Sequence, residues 1–231
     1  MRLFFLMENR IKKAVVIVAG GSGKRMELEM PKQFIEVAGK PLLMHTINKF
    51  YHFNQRIYIV LVLPFDHIET WNRLCNEYRF TIAHEIVPGG DERFISVKKG
   101  LAKVSENCLV AIHDGVRPLV SEEVIANTFL AAEKFGGAIP VIPPNESLRQ
   151  KMDVGSEPVD RDKYVLVQTP QVFKSDLIKA AYQIPYQERF TDDATVFEAS
   201  GHTIHLLDGN QENIKITRPV DLAFAEAILK H

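Results

Sequence analysis

The sequence predicts an α/β fold built on a mostly parallel sheet with helices on both faces. Apolar runs such as residues 14–18, 57–63 and 109–112 are nearly continuous, which is typical of strands buried on both faces of a parallel sheet. Segments with apolar residues at helical spacing separate these runs, as in a sheet wound through crossover helices. The 231 residues and the 46% hydrophobic content fit one large domain, which we assign to residues 11–231.

The predicted elements follow one another in a regular order. Apolar runs predict strands at residues 14–18, 57–63, 82–87, 109–112, 138–142, 203–207 and 213–216. Helical periodicity predicts helices at residues 41–53, 67–78, 96–104, 121–134, 175–183, 192–199 and 219–229. Ser121, followed by Glu122 and Glu123, favours a helix start, and Pro219 is typical of a first helical position. This alternation is that of a Rossmann-like sheet.

Residues 143–167 interrupt this pattern. Pro143, Pro144, Gly155 and Pro158 break both strand and helix periodicity, and charged residues are frequent. A polar stretch of this length is either a disordered loop or an excursion that packs on something else.

The charge balance and the cysteine content exclude several classes of function. A net charge of −1 provides no global basic field for a nucleic acid, so any anion site must be local. Cys75 and Cys108 are too few for a disulfide framework and indicate a reducing cytoplasm. No stretch reaches the length of a membrane span, and the apolar run at residues 3–7 is too short for a signal peptide. We therefore expect a cytoplasmic protein that binds neither nucleic acid nor membrane.

Residues 19–32 form a glycine-rich loop directly after the first predicted strand, an arrangement that presents backbone N–H groups to phosphates. The loop carries three cations, Lys24, Arg25 and Lys32, and no Asp or His. It is not a P-loop, because Arg25 stands where that motif needs Ser or Thr, and Met26 replaces the third glycine of the dinucleotide fingerprint. The alternative is a tight turn with solvated cations.

Polar groups also follow the ends of other predicted strands. In an open parallel sheet, ligands bind beyond the carboxyl ends of the strands. Five segments are therefore expected at one rim: the first loop, residues 89–91, residues 113–117, the turn at Thr169 and the strand end with Lys215. Each segment taken singly is explained equally well as a turn or a solvated surface, but their convergence favours a binding site.

This rim is rich in cations and poor in general bases. The sequence has no nucleophile elbow, HExxH motif or cysteine cluster, so no protein metal centre is predicted, and His113 is expected to be structural. Such a site suits a nucleophile that is already anionic, for example a phosphate monoester that attacks the α-phosphate of a nucleotide. Catalysis then consists of aligning two anions and stabilising charge with cations and a bound Mg²⁺.

These motifs together resemble the 2-C-methyl-D-erythritol 4-phosphate cytidylyltransferase family, over residues 13–230. The resemblance is carried by an ordered set of segments, at residues 19–26, 31–33, 89–93, 113–118, 159–161, 169–171, 191–194 and 213–219. It implies that CTP and 2-C-methyl-D-erythritol 4-phosphate react to give the CDP product and pyrophosphate in the non-mevalonate isoprenoid pathway. It also implies Mg²⁺, bound mainly through the CTP phosphates.

The resemblance implies a role for each matching residue. Arg25 and Lys32 would stabilise charge at the α-phosphate, and Arg161 and Lys215 would position the attacking phosphate. The residues implied for CTP binding are Ala19, Gly20, Gly21, Ser22, Gly23, Gly90, Asp91, Ser96, Asp114 and Gly115. The residues implied for sugar-phosphate binding are Arg117, Arg161, Thr169, Thr191, Asp192 and Lys215.

In this family the polar excursion is an arm that clasps a second subunit. Residues 143–167 would then form a dimerisation arm, and Arg161 would serve the partner's site in a homodimer. The sequence departs from the family at residues 144–147, where members often carry Asp-Thr; Ser147 keeps a hydroxyl there.

Three other functions compete with this interpretation. A ribitol- or glycerol-phosphate cytidylyltransferase shares the nucleotide half, but residues 159–161 favour the methylerythritol enzyme. A nicotinamide-dependent oxidoreductase is disfavoured by Met26 and by the lack of the ribose-binding acid. A non-catalytic nucleotide-binding regulator is disfavoured because Arg25, Lys32 and Lys215 are all present.

Overall fold

A computed structural model describes residues 11–20 and 30–230. Its strands are β1 (Lys12–Val18), β2 (Glu36–Val37), β3 (Lys40–Pro41), β4 (Tyr58–Leu63), β5 (Glu85–Pro88), β6 (Cys108–Asp114), β7 (Gly137–Ile142), β8 (Arg149–Lys151), β9 (Ser156–Pro158), β10 (Leu166–Val167), β11 (Gln171–Lys174) and β12 (His205–Asp208). Its helices are α1 (Leu42–Phe53), α2 (Ile68–Glu77), α3 (Arg93–Leu101), α4 (Glu122–Phe135), α5 (Ser175–Ala181), α6 (Asp193–Ala199) and α7 (Pro219–Leu229).

The main sheet has eight strands and is mostly parallel, as the sequence predicts. Seven strands follow the order β10-β7-β11-β6-β1-β4-β5, and β12 pairs with β7. The pairs β1–β4, β1–β6, β4–β5 and β7–β12 are parallel, whereas β10 and β11 run antiparallel to their neighbours. The parallel strands β1, β4, β5 and β6 thus place their carboxyl ends at one rim.

Helices cover both faces of the sheet, which confirms the predicted layers. Val15 and Ile17 of β1 pack on one face with apolar side chains of α1, α2 and α4. Val16, which points the other way, packs with side chains of α3, α5 and α6. Each face is therefore buried, which explains why the strand sequences are apolar without alternation.

Helix α3 packs closely against the sheet at Gly100, which faces strands β1 and β4. A Cβ atom at Gly100 would lie 2.5 Å from Cγ1 of Val16 and 2.9 Å from Cγ2 of Val62. Only a residue without a side chain fits that gap, so the spacing between α3 and strands β1 and β4 depends on this glycine.

The predicted helix starts agree with the structure at two caps. The Ser121 side chain accepts a hydrogen bond from the Val124 backbone N–H at the start of α4, and Pro219 is the first residue of α7. Helix α3 begins at Arg93, three residues before its predicted start, because Glu92 already adopts the extended cap conformation.

The predicted strand at residues 213–216 is wrong. This segment forms no ladder; the Ile216 N–H donates to the Val116 carbonyl, and the Asn213 side chain donates to the Thr169 carbonyl. Separate backbone and side-chain hydrogen bonds, rather than a ladder with a neighbouring strand, hold this segment, and its apolar alternation does not reveal them.

Residues 143–167 contain an exposed hairpin. Strand β8 pairs antiparallel with β9, and Nε of Arg149 donates to Oγ of Ser156 across the pair at 2.7 Å. All six strand residues are exposed, and β10 then returns the chain to the main sheet. The assignment of this segment to dimerisation stays a prediction.

Within residues 11–20 and 30–230, none of the helices is both long and apolar enough to span a bilayer.

Candidate active site

A cavity of about 220 Å³ lies at the carboxyl ends of the parallel strands. Its walls come from the ends of β1, β4, β5 and β6 and from the start of α3, which is where a parallel sheet places ligands. Eight residues predicted for the site line it: Ala19, Gly20, Lys32, Gly90, Asp91, Ser96, Asp114 and Lys215. We call this space the rim cavity.

Asp114, the last residue of β6, is the electrostatic centre of the rim cavity. Its Oδ2 atom lies 3.1 Å from Nζ of Lys215 and accepts a hydrogen bond from Nε of Arg117 at 3.1 Å. Burial opposes its ionisation, but the charges of Lys215, Arg93 and Arg117 hold the pKa of Asp114 well below its ordinary range. The buried carboxylate is therefore anionic at neutral pH and holds two cations beside the cavity.

His113 and Thr169 fix the backbone on which Asp114 stands. Nε2 of His113 lies 3.1 Å from the Arg117 carbonyl oxygen, and Nδ1 lies 2.9 Å from Oγ1 of Thr169. Burial lowers the pKa of His113 to about 4, so the ring is neutral. Because a carbonyl oxygen only accepts, Nε2 carries the proton, and the Thr169 hydroxyl donates to Nδ1. The same hydroxyl accepts from the Asp114 N–H at 3.1 Å.

This chain of hydrogen bonds gives His113 the structural role that the sequence predicts. It also shows that the Thr169 hydroxyl donates its proton to His113 and not to a group in the rim cavity. Thr169 is buried behind Asp114 and is not part of the rim cavity wall.

The turn at residues 89–91 is held by the helix that follows it. The Gly90 N–H donates to Oγ of Ser96 at 3.0 Å, and Nζ of Lys99 donates to the Gly89 carbonyl at 2.7 Å. Asp91 stays exposed at the mouth of the rim cavity. The backbone groups of this turn are thus oriented by residues of α3.

Gly115 and Arg117, also predicted for the site, lie beside the rim cavity rather than on its wall. A Cβ atom at Gly115 would lie 2.8 Å from Cβ of Ala19, so its glycine allows the ends of β1 and β6 to approach. Arg117 donates through a terminal nitrogen to the Asn213 carbonyl at 2.7 Å, besides its contact with Asp114. Its side chain is 12% exposed, so most of its donors face protein.

Gln33 is a site residue that the sequence reasoning missed. Its side chain is 1% exposed, lines the rim cavity and donates from Nε2 to the Ala19 carbonyl at 3.0 Å. Nε2 also lies 3.2 Å from Nδ1 of His67. A buried glutamine has no distinguishing pattern in sequence; the one available signal was its position next to Lys32.

Two other residues predicted for the acceptor lie at a second, smaller cavity of about 100 Å³. Thr191 and Asp192 line it, together with the aromatic side chains of Phe94, Tyr182, Tyr186 and Phe190. Oδ1 of Asp192 accepts from the Thr195 N–H at 2.9 Å and caps α6, while Oδ2 accepts from Gln171 at 2.8 Å. We call this space the side cavity.

Arg93 and Asp193, between the two cavities, were also missed. Both stand inside motif segments noted in the sequence, close to Asp91 and Asp192, which the resemblance assigns to substrate binding. Arg93 lines both the rim cavity and the side cavity, and the Asp193 side chain is fully buried.

Arg161 lies apart from both cavities. It donates to the Asn145 carbonyl at 2.9 Å and lines a separate cavity of about 350 Å³ at the base of the hairpin. Its side chain is 53% exposed. Within one chain, therefore, the structure does not bring Arg161 to Lys215.

Four further predicted site residues, Gly21, Ser22, Gly23 and Arg25, lie outside the described residues, as does the loop cation Lys24.

The described part of the chain contains no group of three or more His, Cys, Asp or Glu side chains arranged to hold a metal ion. Asp114 and Asp91 are the two carboxylates of our site assignment that line the rim cavity. Mg²⁺ commonly binds through one or two carboxylates together with substrate phosphates, and this donor set fits that mode.

The family model for 2-C-methyl-D-erythritol 4-phosphate cytidylyltransferase (IspD) matches residues 13–231. The chain belongs to this family. The cytidylyltransferase of that name from Phocaeicola vulgatus is 51% identical over 219 residues, which cover 95% of this chain and 100% of the relative. The one from Bacteroides fragilis is 51% identical over 217 residues, covering 94% and 99%.

Solved structures of IspD proteins share the fold. The 4-diphosphocytidyl-2C-methyl-D-erythritol synthase from Anaerococcus prevotii is 29% identical with a TM-score of 0.80, covering 96% of this chain and 97% of its own. The cytidylyltransferase from Thermus thermophilus is 29% identical with a TM-score of 0.77, covering 96% and 100%. The predicted family, enzyme class and fold class are thereby confirmed.

Proposed function

We propose that this IspD-family chain transfers the cytidylyl group of CTP to 2-C-methyl-D-erythritol 4-phosphate, giving 4-diphosphocytidyl-2-C-methyl-D-erythritol and pyrophosphate for isoprenoid precursor synthesis. The observation that carries the proposal is the rim cavity. It combines the glycine turns predicted for a nucleotide with Lys32, Lys215 and the buried anion Asp114. Family membership supports the choice of both substrates.

The reaction is an attack of one phosphate on another. An oxygen of the acceptor phosphate forms a bond to the α-phosphorus of CTP, and the bond from that phosphorus to the bridging oxygen of the β-phosphate breaks. Pyrophosphate leaves with the bonding electron pair. The acceptor phosphate is largely ionised near neutral pH, so no group needs to remove a proton before the attack.

The residues at the rim agree with a reaction that needs no general base. His113, the histidine nearest the centre, is neutral, buried and hydrogen-bonded through both ring nitrogens. The carboxylate of Asp114 is occupied by cations. Catalysis is then left to positioning and to charge stabilisation.

The nucleotide side of the site consists of backbone-rich turns. Ala19, Gly20, Gly90 and Asp91 line the rim cavity, and Ser96 holds the Gly90 N–H in place. Lys32 lies on the same wall, and in our assignment it and Arg25 stabilise charge on the α-phosphate during transfer.

The acceptor side consists of cations held by carboxylates. Lys215, which is 44% exposed beside Asp114, would position the attacking phosphate from its place in the rim cavity. Arg117 holds Asp114 and the backbone of residue 213. Thr191 and Asp192, at the side cavity, would contact the hydroxyl-bearing part of the acceptor.

Mg²⁺ belongs to the proposal as a group that arrives with CTP. Asp91 lines the cavity and would hold Mg²⁺ together with the phosphates, whereas Asp114 is already paired with Lys215 and Arg117. When bound, it would neutralise charge on the triphosphate and on the departing pyrophosphate.

The proposal includes a homodimer built through residues 143–167, in which Arg161 serves the partner's site. Its exposure, and its separation from the rim cavity within one chain, support action on a second subunit. Exposed apolar side chains on and beside the hairpin, including Val154 (92% exposed) and Leu166 (49%), support burial against a partner. A cytoplasmic location is also proposed, supported by the two free cysteines.

The test is release of pyrophosphate from CTP and Mg²⁺ with a panel of acceptors. We expect turnover with 2-C-methyl-D-erythritol 4-phosphate and a much lower kcat/KM with ribitol 5-phosphate and glycerol 3-phosphate. The product should be identified by mass as the CDP derivative. Preferred turnover of ribitol phosphate would contradict the acceptor, and CTP binding without turnover would contradict the reaction.

A further inference from the structure

Between the two cavities, Arg93 and Asp193 form an ion pair that has no role in the proposed reaction as described above. The two terminal nitrogens of Arg93 donate to the two carboxylate oxygens of Asp193, at 2.9 and 2.7 Å. The Tyr182 hydroxyl donates to Oδ1 of Asp193 at 2.6 Å. Although burial opposes its charge, Asp193 raises the pKa of the Arg93 guanidinium, and burial with the neighbouring Asp193 charge raises that of the Tyr182 phenol.

The position of this pair in the chain suggests its use. Arg93 is the first residue of α3 and follows the turn with Gly90 and Asp91 on the nucleotide side. Asp193 is the first residue of α6 and follows Thr191 and Asp192 at the side cavity. The pair therefore joins two segments that are 100 residues apart and are assigned to different substrates.

Each segment is also fixed locally by other contacts. Ser96 and Lys99 hold the nucleotide turn to α3. Gln171 of β11 holds the start of α6, since its amide donates to Asp192 and accepts from the Ala194 N–H at 2.8 Å. The ion pair adds what these contacts lack, which is a direct connection between the two helix starts.

We propose that Arg93 and Asp193 are positioning residues that set the distance between the CTP and sugar-phosphate halves of the site. This inference rests on the proposed function. A planar, two-bond contact between a guanidinium and a carboxylate fixes orientation as well as distance. Displacement of one reacting group by about 1 Å costs on the order of 100-fold in rate, so a fixed spacing between the halves matters for transfer.

Stability alone gives a different expectation for the pair. Replacing both members of a buried ion pair with apolar residues often leaves a protein as stable as before, whereas removing one member is strongly destabilising. The double variant Arg93→Met/Asp193→Leu therefore separates folding from positioning. It also removes the Arg93 charge, which helps to keep Asp114 ionised, so Arg93→Lys, which keeps that charge, is measured beside it.

The experiment compares this double variant with the wild-type protein in CTP-dependent pyrophosphate release. We expect the melting temperature to fall by no more than about 10 °C, because the buried Tyr182 hydroxyl loses its acceptor in this variant. We expect kcat/KM for both substrates to fall about 100-fold through lost alignment. The Kd of CTP, measured without acceptor, should change less than about threefold, because Ser96 and Lys99 still hold the nucleotide turn.

A matched control removes an ion pair of similar length whose residues line neither the rim cavity nor the side cavity. Nζ of Lys230 lies 2.7 Å from Oε1 of Glu226 on α7. The variant Lys230→Gln/Glu226→Gln should retain wild-type kinetics.

A folded double variant with wild-type kcat/KM for both substrates would overturn the proposal. If the double variant does not fold, Arg93→Lys decides, because it keeps the charge but not the planar contact. We expect about a tenfold loss of kcat/KM with little change in CTP binding; full activity would again overturn the proposal. A wild-type protein without turnover would contradict the proposed function instead.

Discussion

The rim cavity and the hairpin arm each carry a cation assigned to the acceptor phosphate, but they hold it differently. At the rim, Lys215 lies 3.1 Å from a buried carboxylate, which a neutral histidine and a threonine hydroxyl hold in place. In the arm, Arg161 contacts a backbone carbonyl at the base of an exposed hairpin.

The difference shows which part of the candidate site a single chain forms by itself and which part it does not form. The rim is pre-organised, because its charges are oriented by buried partners before any ligand binds. In the arm, the contacts of Arg161 do not orient its side chain towards a phosphate-binding position in the same chain. We infer that assembly finishes the arm's part of the site, and four predictions test this contrast.

The largest expected effect is loss of a rim cation. Lys32→Ala should lower kcat by about 10²–10³-fold, the cost of removing one group that stabilises transition-state charge. The protein should stay folded, since Lys32 lies at the cavity wall and is only half-buried. Steady-state pyrophosphate release with a parallel thermal melt measures both quantities.

Lys40→Ala is the matched control, because Lys40 is an exposed lysine of β3. It should leave kcat unchanged. Near-wild-type turnover by Lys32→Ala would show that this lysine has no part in the mechanism, and it would contradict the view that the rim is pre-organised for catalysis.

The buried support of the rim should appear as a pH dependence of stability. The pKa of His113 is lowered by burial from 6.5 to about 4, so the folded ring stays neutral while the unfolded ring takes a proton below pH 6.5. Stability from this ring is present above pH 6.5 and is lost as pH falls towards 4, by about 3 kcal/mol.

Denaturant unfolding of wild type and His113→Gln between pH 7 and 4 measures this loss. His45 and His84, whose pKa values burial also lowers, contribute equally to both proteins. The wild type should therefore lose more free energy of unfolding than the variant. Parallel curves would mean that His113 is protonated or exposed in the folded protein.

The arm's cation should act across subunits. Arg161→Ala alone should lower kcat/KM for the sugar phosphate by about tenfold or more, as expected when a charged contact to a phosphate is lost. Mixing it with Lys32→Ala under subunit exchange should restore part of the activity, because each mixed dimer contains one site with both cations.

Lys163→Ala serves as the control, because Lys163 lies two residues after Arg161 and its side chain is 77% exposed. It should retain wild-type kinetics alone. Absence of any recovery in mixtures that demonstrably exchange subunits would place Arg161 in its own chain's site.

The smallest effect is expected at the tip of the hairpin. Val154 is 92% exposed, so Val154→Ser should change the free energy of unfolding of the monomer by less than about 0.5 kcal/mol. Self-association, followed by sedimentation at a series of concentrations, should nevertheless weaken. Unchanged association would exclude the tip from the dimer contact.

The fold was largely predictable because buried parallel strands and amphipathic helices leave regular apolar patterns. The rim was predictable for a related reason, since strand ends such as Asp114 converge by geometry. The segment at residues 213–216 was not, because isolated backbone hydrogen bonds and the Asn213 side chain hold it instead of a strand ladder. Arg93 and Asp193 could not be paired from sequence, because nothing local links residues 100 positions apart.

The close fit of α3 at Gly100 has a consequence for how this enzyme could change specificity. Helix α3 carries Arg93 and Ser96, which line the rim cavity, so the distance between α3 and the sheet affects the width of that cavity. Gly100 faces the sheet and does not line the rim cavity. A methyl group added at this position would push α3 away from the sheet. A mutant library that varies only cavity-lining positions would therefore omit Gly100, although a substitution there could change which nucleotide base the enzyme accepts.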